Sequence, residues 1–517
     1  MLEIICFAVT FLFSIMIDSI LNFHFYFLNY IFPTIVFIVS IIIIYFNWSY
    51  NYWKHHHLPF NPPIFPYGNI KEIINEEKTF GQAVGDVYKK FKSKGHMHAG
   101  YFLLHQPIYV PIDLNVIKHI LQIDFNHFMD HGTYYNEKQD PLSAHLFSIE
   151  GEKWKNLRVK LTPTFTSGKM KMMFPIMVDI SEKLIQSVQN GGLNKVEVKS
   201  LAVRFTTDII GCCAFGIDCN SLEDPNAEFC VQGKRVFTMT RLEWLRSFIC
   251  FICPNFSRFI GLRFLPKGPT SFFWNIIKNN AELREKTEIR RNDFFQLLLD
   301  LKNGDEKLSF QELAAQAFLF FAAGYETSSL TLSLALYELS KNEEVQNKLR
   351  EDVLNVIKKY DGVVTYEGLN EMEYLDKVVK ETLRKYPPLP LLNRICTQDY
   401  HIPNSQFLLK KGLKIFVPIE KIHYDPEFYP NPDIFDPDRF TEENVNKRPH
   451  FSYLPFGEGP RICIGMRFGM MQTKIGLVGL IKNFKMRTNP DTESIQMNTR
   501  HILNIPLKPI WVDFETV

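Results

Sequence analysis

The sequence predicts a mainly α-helical fold with a smaller β portion, preceded by an N-terminal membrane segment. Three observations carry this expectation: apolar residues recur at three- and four-residue steps, strand-like pieces are few and short, and no Lys or Arg occurs before Lys54. Helical spacing covers Glu152–Leu161, Ser181–Val188, Phe310–Leu339, Glu343–Lys358 and Glu373–Tyr386, while Gly100–Val110 has strand character. In the strongest helix, Ser309 and Glu312 form a capping-box pattern before a run that extends to about Ser340. From Ala314 to Ala323 this run is apolar on nearly every face, which marks a buried central helix. Gly324, Glu326 and Thr327 interrupt it at an energetic cost that something must offset.

Ile4–Ile17 and Ile31–Phe46 are two apolar runs separated by Asp18, Ser19, Asn22 and His24. The first is short for a span of about 20 residues and lacks the basic start and cleavage site of a secretory signal, so its role stays open. The second lengthens to a span from Tyr26 to Trp48, with Tyr26, Tyr30, Tyr45 and Trp48 as interfacial aromatics. The chain thus divides into an anchor region, 1–50, a Pro-rich hinge, 51–70, and one main domain, 71–517. Basic residues begin just after the anchor, which places the main domain on the cytosolic side. Phe248–Leu265 reads either as a segment dipping into the bilayer or as a core helix.

Composition narrows the function. The 58 basic and 56 acidic residues leave a net charge of +2, which argues against a nucleic-acid partner. The 46 Phe and 21 Tyr point to an aromatic interior or a ligand pocket. Nine cysteines, an odd number without regular spacing, do not make a secreted disulfide scaffold. Cys250 and Cys253 have metal-site spacing but no second pair, and read as packing in a reducing compartment.

One cysteine stands apart. Cys463 follows the Gly-rich segment Pro455–Ile462 and precedes a predicted helix, Ile464–Leu480, so turn N–H groups and the helix end should make it ionise more readily than the others. A lone thiolate cannot build a zinc or iron–sulfur site, but it supplies the single axial bond that a haem needs. Phe456 would then cover the ring and Arg461 would offer a fork of donors to a propionate. An ordinary hairpin with Cys463 in the core is the other reading of this segment.

Phe456, Gly459, Arg461, Cys463 and Gly465 match the haem-binding signature of the cytochromes P-450, and the chain resembles that family from about residue 59 to its end. Glu381 and Arg384 are similar to the family's Glu-x-x-Arg helix, with Arg439 as the third member of a charged triad. Asp438 stands where Glu is usual. Trp154 and Arg158 resemble a pair directed at one propionate, Arg394 matches a further propionate-binding position, and His131 stands where related sequences commonly carry Arg, a contact that would depend on pH.

Ala323–Ser328 resembles the oxygen-activating stretch of the family's central helix. The resemblance implies a helix free to bulge at Gly324, Thr327 hydrogen-bonding near the iron and Glu326 relaying protons. It further implies the cytochrome P-450 fold, with haem b buried between the central helix and the Cys463 loop. The implied activity inserts one atom of O2 into an apolar substrate: a xenobiotic, plant toxin, insecticide, steroid or fatty acid. Electrons would come from NADPH through NADPH–cytochrome P-450 reductase, with cytochrome b5 as an allowed second donor, because no nicotinamide or flavin motif is present. Wording around Asp140–Phe147 and Arg384–Pro390 looks most like arthropod microsomal members, hence an endoplasmic-reticulum membrane with the catalytic domain facing the cytosol. A thiolate-haem isomerase or dehydratase and a non-catalytic haem-binding membrane protein are the alternatives.

Overall fold

Most of the apolar spacing becomes helix in the computed structural model, which describes Met16 and residues 27–287, 290–303 and 308–517. The central helix spans Phe310–Lys341, and its predicted capping box is present: Glu312 N donates to Ser309 Oγ (3.2 Å) and Ser309 N to Glu312 Oε2 (2.8 Å). Helices Val198–Ile210, Met466–Asn483 and Glu373–Lys385 pack around it. The stretch Ser181–Val188 proves to be the middle of a longer helix, Ser167–Gly191, which runs through Pro175. Its buried methionines, Met170, Met173 and Met177, extend the apolar face past the proline, so tertiary burial overrides the local break.

Gly100–Val110 is two strands rather than one. His98–Leu103 pairs antiparallel with Gln106–Pro111, and Leu104 takes φ +55° in the turn. Lys414–Val417 adds parallel to the second strand and Leu392–Ile395 antiparallel to the third, completing a four-stranded sheet. A second sheet joins Val196–Glu197, Trp511–Thr516 and Phe484–Thr488, and a short pair joins Tyr400–His401 to Leu408–Leu409. Two apolar cores result, one around the central helix and one around the four-stranded sheet.

The anchor is helical from Phe27 through Tyr50, with its apolar side chains exposed. By length and composition it is the one helix among the described residues that can cross a membrane. Tyr26 and, apart from Met16, the run Ile4–Ile17 lie outside the described residues. Segment 51–70, expected as a hinge, is docked: Trp53 is fully buried and its Nε1 donates to Tyr101 O at 3.1 Å. Gly100 makes room for it, since a Cβ there would lie 2.5 Å from the indole.

Candidate haem-thiolate site

Cys463 ends a tight hairpin whose closing bond runs from Cys463 N to Phe456 O (2.9 Å), with Ile462 N donating to Gly459 O (3.0 Å). Gly459 holds φ +75°, and a Cβ there would collide with the Leu121 carbonyl oxygen, so a glycine is required. Phe456 is half-buried against the helical core. The following helix starts at Met466 rather than Ile464 and fixes the loop against the central helix, where Gln472 Nε2 donates to Gly324 O (3.2 Å) and contacts Ser328 Oγ.

Cys463 carries accessible surface. The central helix, buried before and after, likewise shows accessible or half-buried positions at Leu319, Ala322, Ala323, Gly324 and Thr327. Burial pushes the Cys463 thiol up, while the Gly465 N–H and Arg158 pull it down. The turn N–H and a nearby cation thus act on this thiol in the expected direction, against desolvation.

The cationic residues converge. Arg461 donates through Nη1 to Phe147 O (3.1 Å) and His131 Nδ1 (2.9 Å) and through Nη2 to Ile149 O (2.8 Å), and its guanidinium lies 4.4 Å from the Trp154 ring centre. Burial and the neighbouring Arg394 lower Arg461 to about 9, and burial lowers Arg394 to about 10. Arg394 donates from Nη1 to Asn393 O (2.8 Å), and the Nε of each arginine is buried without a partner. Arg158 Nη2 donates to Ile462 O (2.9 Å), on the carbonyl just before the cysteine. Trp154 and Arg158 are thus brought to the same corner, the indole beneath the Arg461 guanidinium and Arg158 on the loop carbonyl.

Burial and two adjacent cations hold His131 well below the usual histidine range. Its Nδ1 sits 2.9 Å from both Arg461 Nη1, a donor, and Phe147 O, an acceptor. Accessible thiol, aromatic cover and two buried guanidinium groups with orphaned N–H donors fit an iron porphyrin bearing two propionates.

Glu326 and Thr327 face different partners, as adjacent helix positions must. Glu326 is buried and accepts from Lys199 Nζ at 2.7 Å, and Lys199 also donates to Ser329 Oγ at 2.8 Å. Thr327 Oγ1 donates to Ala323 O at 2.6 Å. The helix is α-helical through Gly324, and a Cβ there would lie 3.0 Å from Ile210 Cδ1, a close-packing role for this glycine. Lys199 has no local sequence signal, since its partner lies more than a hundred positions away.

Glu381 and Arg384 form a fully buried bidentate pair at 2.7 and 2.8 Å, and Arg439 Nε lies 3.5 Å from Glu381 Oε1. A cleft of about 370 Å³, lined by Glu137, Ile149, Lys153, Lys160 and Glu312 among others, opens beside the Arg461 corner but is lined by neither Cys463 nor either arginine.

The cytochrome P450 family model matches residues 58–512. Probable cytochrome P450 6a23 of Drosophila melanogaster is 42% identical over 469 residues, 89% of this chain and 93% of that protein. Cytochrome P450 6A1 of Musca domestica is 40% identical over 493 residues, 93% of this chain and 96% of that protein. Cytochrome P450 6a2 of Drosophila melanogaster is 40% identical over 474 residues, 88% of this chain and 93% of that protein.

Proposed function

We propose a specific division of labour from one premise: the chain belongs to the cytochrome P450 family and is a haem-thiolate monooxygenase. Cys463 would bind the haem iron through its sulfur. Arg461 and Arg394 would hold the propionates through their free N–H groups, with Trp154 keeping the Arg461 guanidinium in place, Arg158 bracing the Ile462 carbonyl and Phe456 packing beside the porphyrin. When bound, the haem supplies reductive activation of O2, with one atom passing to substrate and the other to water.

The chain's own task on the far side is proton handling. Thr327 Oγ1 is oriented by its bond to Ala323 O and leaves its lone pairs toward the accessible positions of the central helix. Glu326 exchanges protons with Lys199, whose ammonium is pushed down by burial. No hydrogen bond joins Glu326 to Thr327 among the described residues, so water carries the proton between them.

Substrates are apolar xenobiotics, plant toxins, insecticides, steroids or fatty acids, and NADPH–cytochrome P450 reductase supplies electrons, with cytochrome b5 as a second donor. The anchor helix holds the enzyme in the endoplasmic-reticulum membrane with the catalytic domain facing the cytosol. Leu242, Leu245, Phe256, Phe259 and Ile260 are exposed and extend the lipid-facing surface. They lie on the anchor's side, since one turn binds both: Ser49 Oγ donates to His105 O and Gln106 Nε2 to Ile252 O.

The two buried arginines, which form no ion pair with a carboxylate among the described residues, carry this reading. The test is the reduced carbonyl adduct of the haem-loaded enzyme, whose Soret band is red-shifted by thiolate and lost in Cys463→Ser; retention in that variant ends the assignment. NADPH-dependent product from an apolar panel, followed by mass spectrometry with added reductase, tests the substrate class.

A further inference from the structure

The carbonyls of Ala323, Gly324, Tyr325, Glu326 and Thr327, consecutive in the central helix, each accept a side-chain donor as well as their helical N–H. Thr327 Oγ1 donates to Ala323 O (2.6 Å), Gln472 Nε2 to Gly324 O (3.2 Å) and Thr206 Oγ1 to Tyr325 O (3.2 Å). Ser329 Oγ donates to Glu326 O (3.0 Å) and Thr331 Oγ1 to Thr327 O (2.9 Å). Toward the N-terminus, the next such bond among the described residues is about three turns away, from Gln316 Nε2 to Glu312 O (3.2 Å). A carbonyl oxygen has two lone pairs, and in an α-helix one of them already takes the N–H four residues on. A second donor competes with that N–H, and back-bonding by Ser or Thr loosens and bends helices.

Thr327, Ser329 and Thr331 belong to the helix itself, whereas Thr206 and Gln472 reach it from two helices packed against it, Val198–Ile210 and Met466–Asn483. Both are buried. Gln472 also contacts Ser328 Oγ, and its Oε1 is buried without a partner. Thr206 divides its one hydroxyl proton between Tyr325 O and Val203 O, each at 3.2 Å. Each residue therefore holds hydrogen-bonding capacity that the closed helix does not use. The same stretch has space beside it: Ala323 is exposed and Gly324 and Thr327 are half-buried, while Ser328, Ser329 and Leu330 are buried. At Gly324 a Cβ would lie 3.0 Å from Ile210 Cδ1 and 4.0 Å from Gln472 Nε2, so the missing side chain leaves the carbonyl open to its outside donor.

We propose that Gln472 and Thr206 are positioning residues that let the central helix open its ladder at Gly324 and Tyr325. When the N–H groups of Ser328 and Ser329 leave, both carbonyls keep a donor, and the opened turn admits the water that carries a proton from Glu326 to Thr327. This rests on the proton-handling reading of Glu326 and Thr327. A buried carbonyl left without any donor costs its full desolvation, which keeps an ordinary core helix shut. Here the two side chains remove that cost from the open state, and Gln472 Oε1 stands ready to accept from a released N–H or from the water. A side chain or water inserted into the ladder is among the few causes of local helix distortion. Both residues act by position, since neither hydrogen-bonds the side chain of Glu326 or Thr327 among the described residues.

The experiment uses the haem-loaded full chain in phosphatidylcholine vesicles, comparing wild type with Gln472→Leu, Thr206→Val and Thr206→Ser. One readout is hydrogen exchange at the amides of Thr327, Ser328 and Ser329; the other is the share of NADPH electrons released as hydrogen peroxide with added reductase. Gln472→Leu should slow exchange at Ser328 about fivefold, the factor one hydrogen bond is worth, because opening now strands the Gly324 carbonyl. Thr206→Val should slow Ser329 by a smaller factor, Thr206→Ser should resemble wild type, and both slowed variants should release more peroxide. A residue that merely braces the helix gives the opposite sign, since removing a brace speeds exchange. Faster or unchanged exchange in Gln472→Leu overturns the proposal, and slower exchange with an unaltered peroxide share overturns its link to proton delivery. Should Gln472→Leu not fold, Thr206→Val against Thr206→Ser decides on the same signs. If wild type with reductase oxidises no apolar substrate at the expense of NADPH, the monooxygenase reading fails instead, while exchange, which needs no turnover, still judges the helix.

Discussion

Arg384 and Arg461 are both buried guanidinium groups that donate to backbone carbonyls, and they differ in what balances their charge. Arg384 forms a two-bond fork with Glu381 and donates further to His423 O and Pro432 O. Its pKa is raised, the carboxylate offsetting desolvation. Arg461 forms no ion pair among the described residues, is influenced by Asp130 and Glu150 through space only, faces a second cation in Arg394 and has an Nε with no partner. The first cluster is complete within the chain and locks the core. On the proposed reading the second is completed by an anion from outside, which separates a structural charge cluster from a ligand site.

The largest expected effect falls on the complete cluster. Glu381→Gln leaves Arg384 unpaired and should cost about 3–5 kcal/mol, with or without haem. Thermal unfolding measures it, and an unchanged midpoint would remove the contrast at its root.

Arg461→Leu should behave in the opposite way, leaving the apoprotein as stable as before or more so while haem is lost about tenfold faster, since a hydrogen bond to a charged group is worth about 1.5–3 kcal/mol. Haem transfer to an apoglobin acceptor, with unfolding of the apoprotein alongside, reads both halves. Equal destabilisation of the two forms would erase the distinction.

Acid sharpens the comparison further. His423, beside Arg384, donates from Nδ1 to Arg384 O (3.2 Å) and accepts at Nε2 from Leu454 N (2.8 Å), so it is neutral, and burial lowers it to about 3. The unfolded chain takes up that proton near pH 6.5 and the folded one does not, so the contribution is full above about 6.5 and declines as pH falls toward 3. His423→Gln should flatten the stability slope between those values in denaturant titrations at stepped pH; an unaltered slope would show that other groups carry acid unfolding. The smallest effect is expected from Asp438→Glu, within about 0.5 kcal/mol, because that carboxylate lies outside the triad. A larger shift in its unfolding midpoint would give Asp438 a part in the cluster.

Legibility followed distance along the chain. The capping box of the central helix spans three residues, and so does the Glu381–Arg384 step; both were readable because helix periodicity alone brings their side chains together. The Cys463 hairpin was readable for the same reason, its closing bond joining Phe456 to Cys463. Local rules also gave way to burial: the helix expected at Ser181–Val188 extends from Ser167 to Gly191 and runs through Pro175. The strand at Gly100–Val110 hid a turn at Leu104, a residue type that seldom takes positive φ.

By itself, then, the chain's pattern of apolar periods, caps and spacings determined a helical domain behind an apolar helix long enough to cross a membrane, and singled out Cys463. Tertiary structure alone decided that Glu326 meets Lys199, that Lys414 reaches the end of helix Arg241–Ile252, and that Arg394 and Arg461 share one buried corner. The reason is physical. Contacts within a helix turn or a hairpin follow from backbone geometry, whereas the balance of a buried charge depends on which distant segments exclude water from it, and no local pattern encodes that.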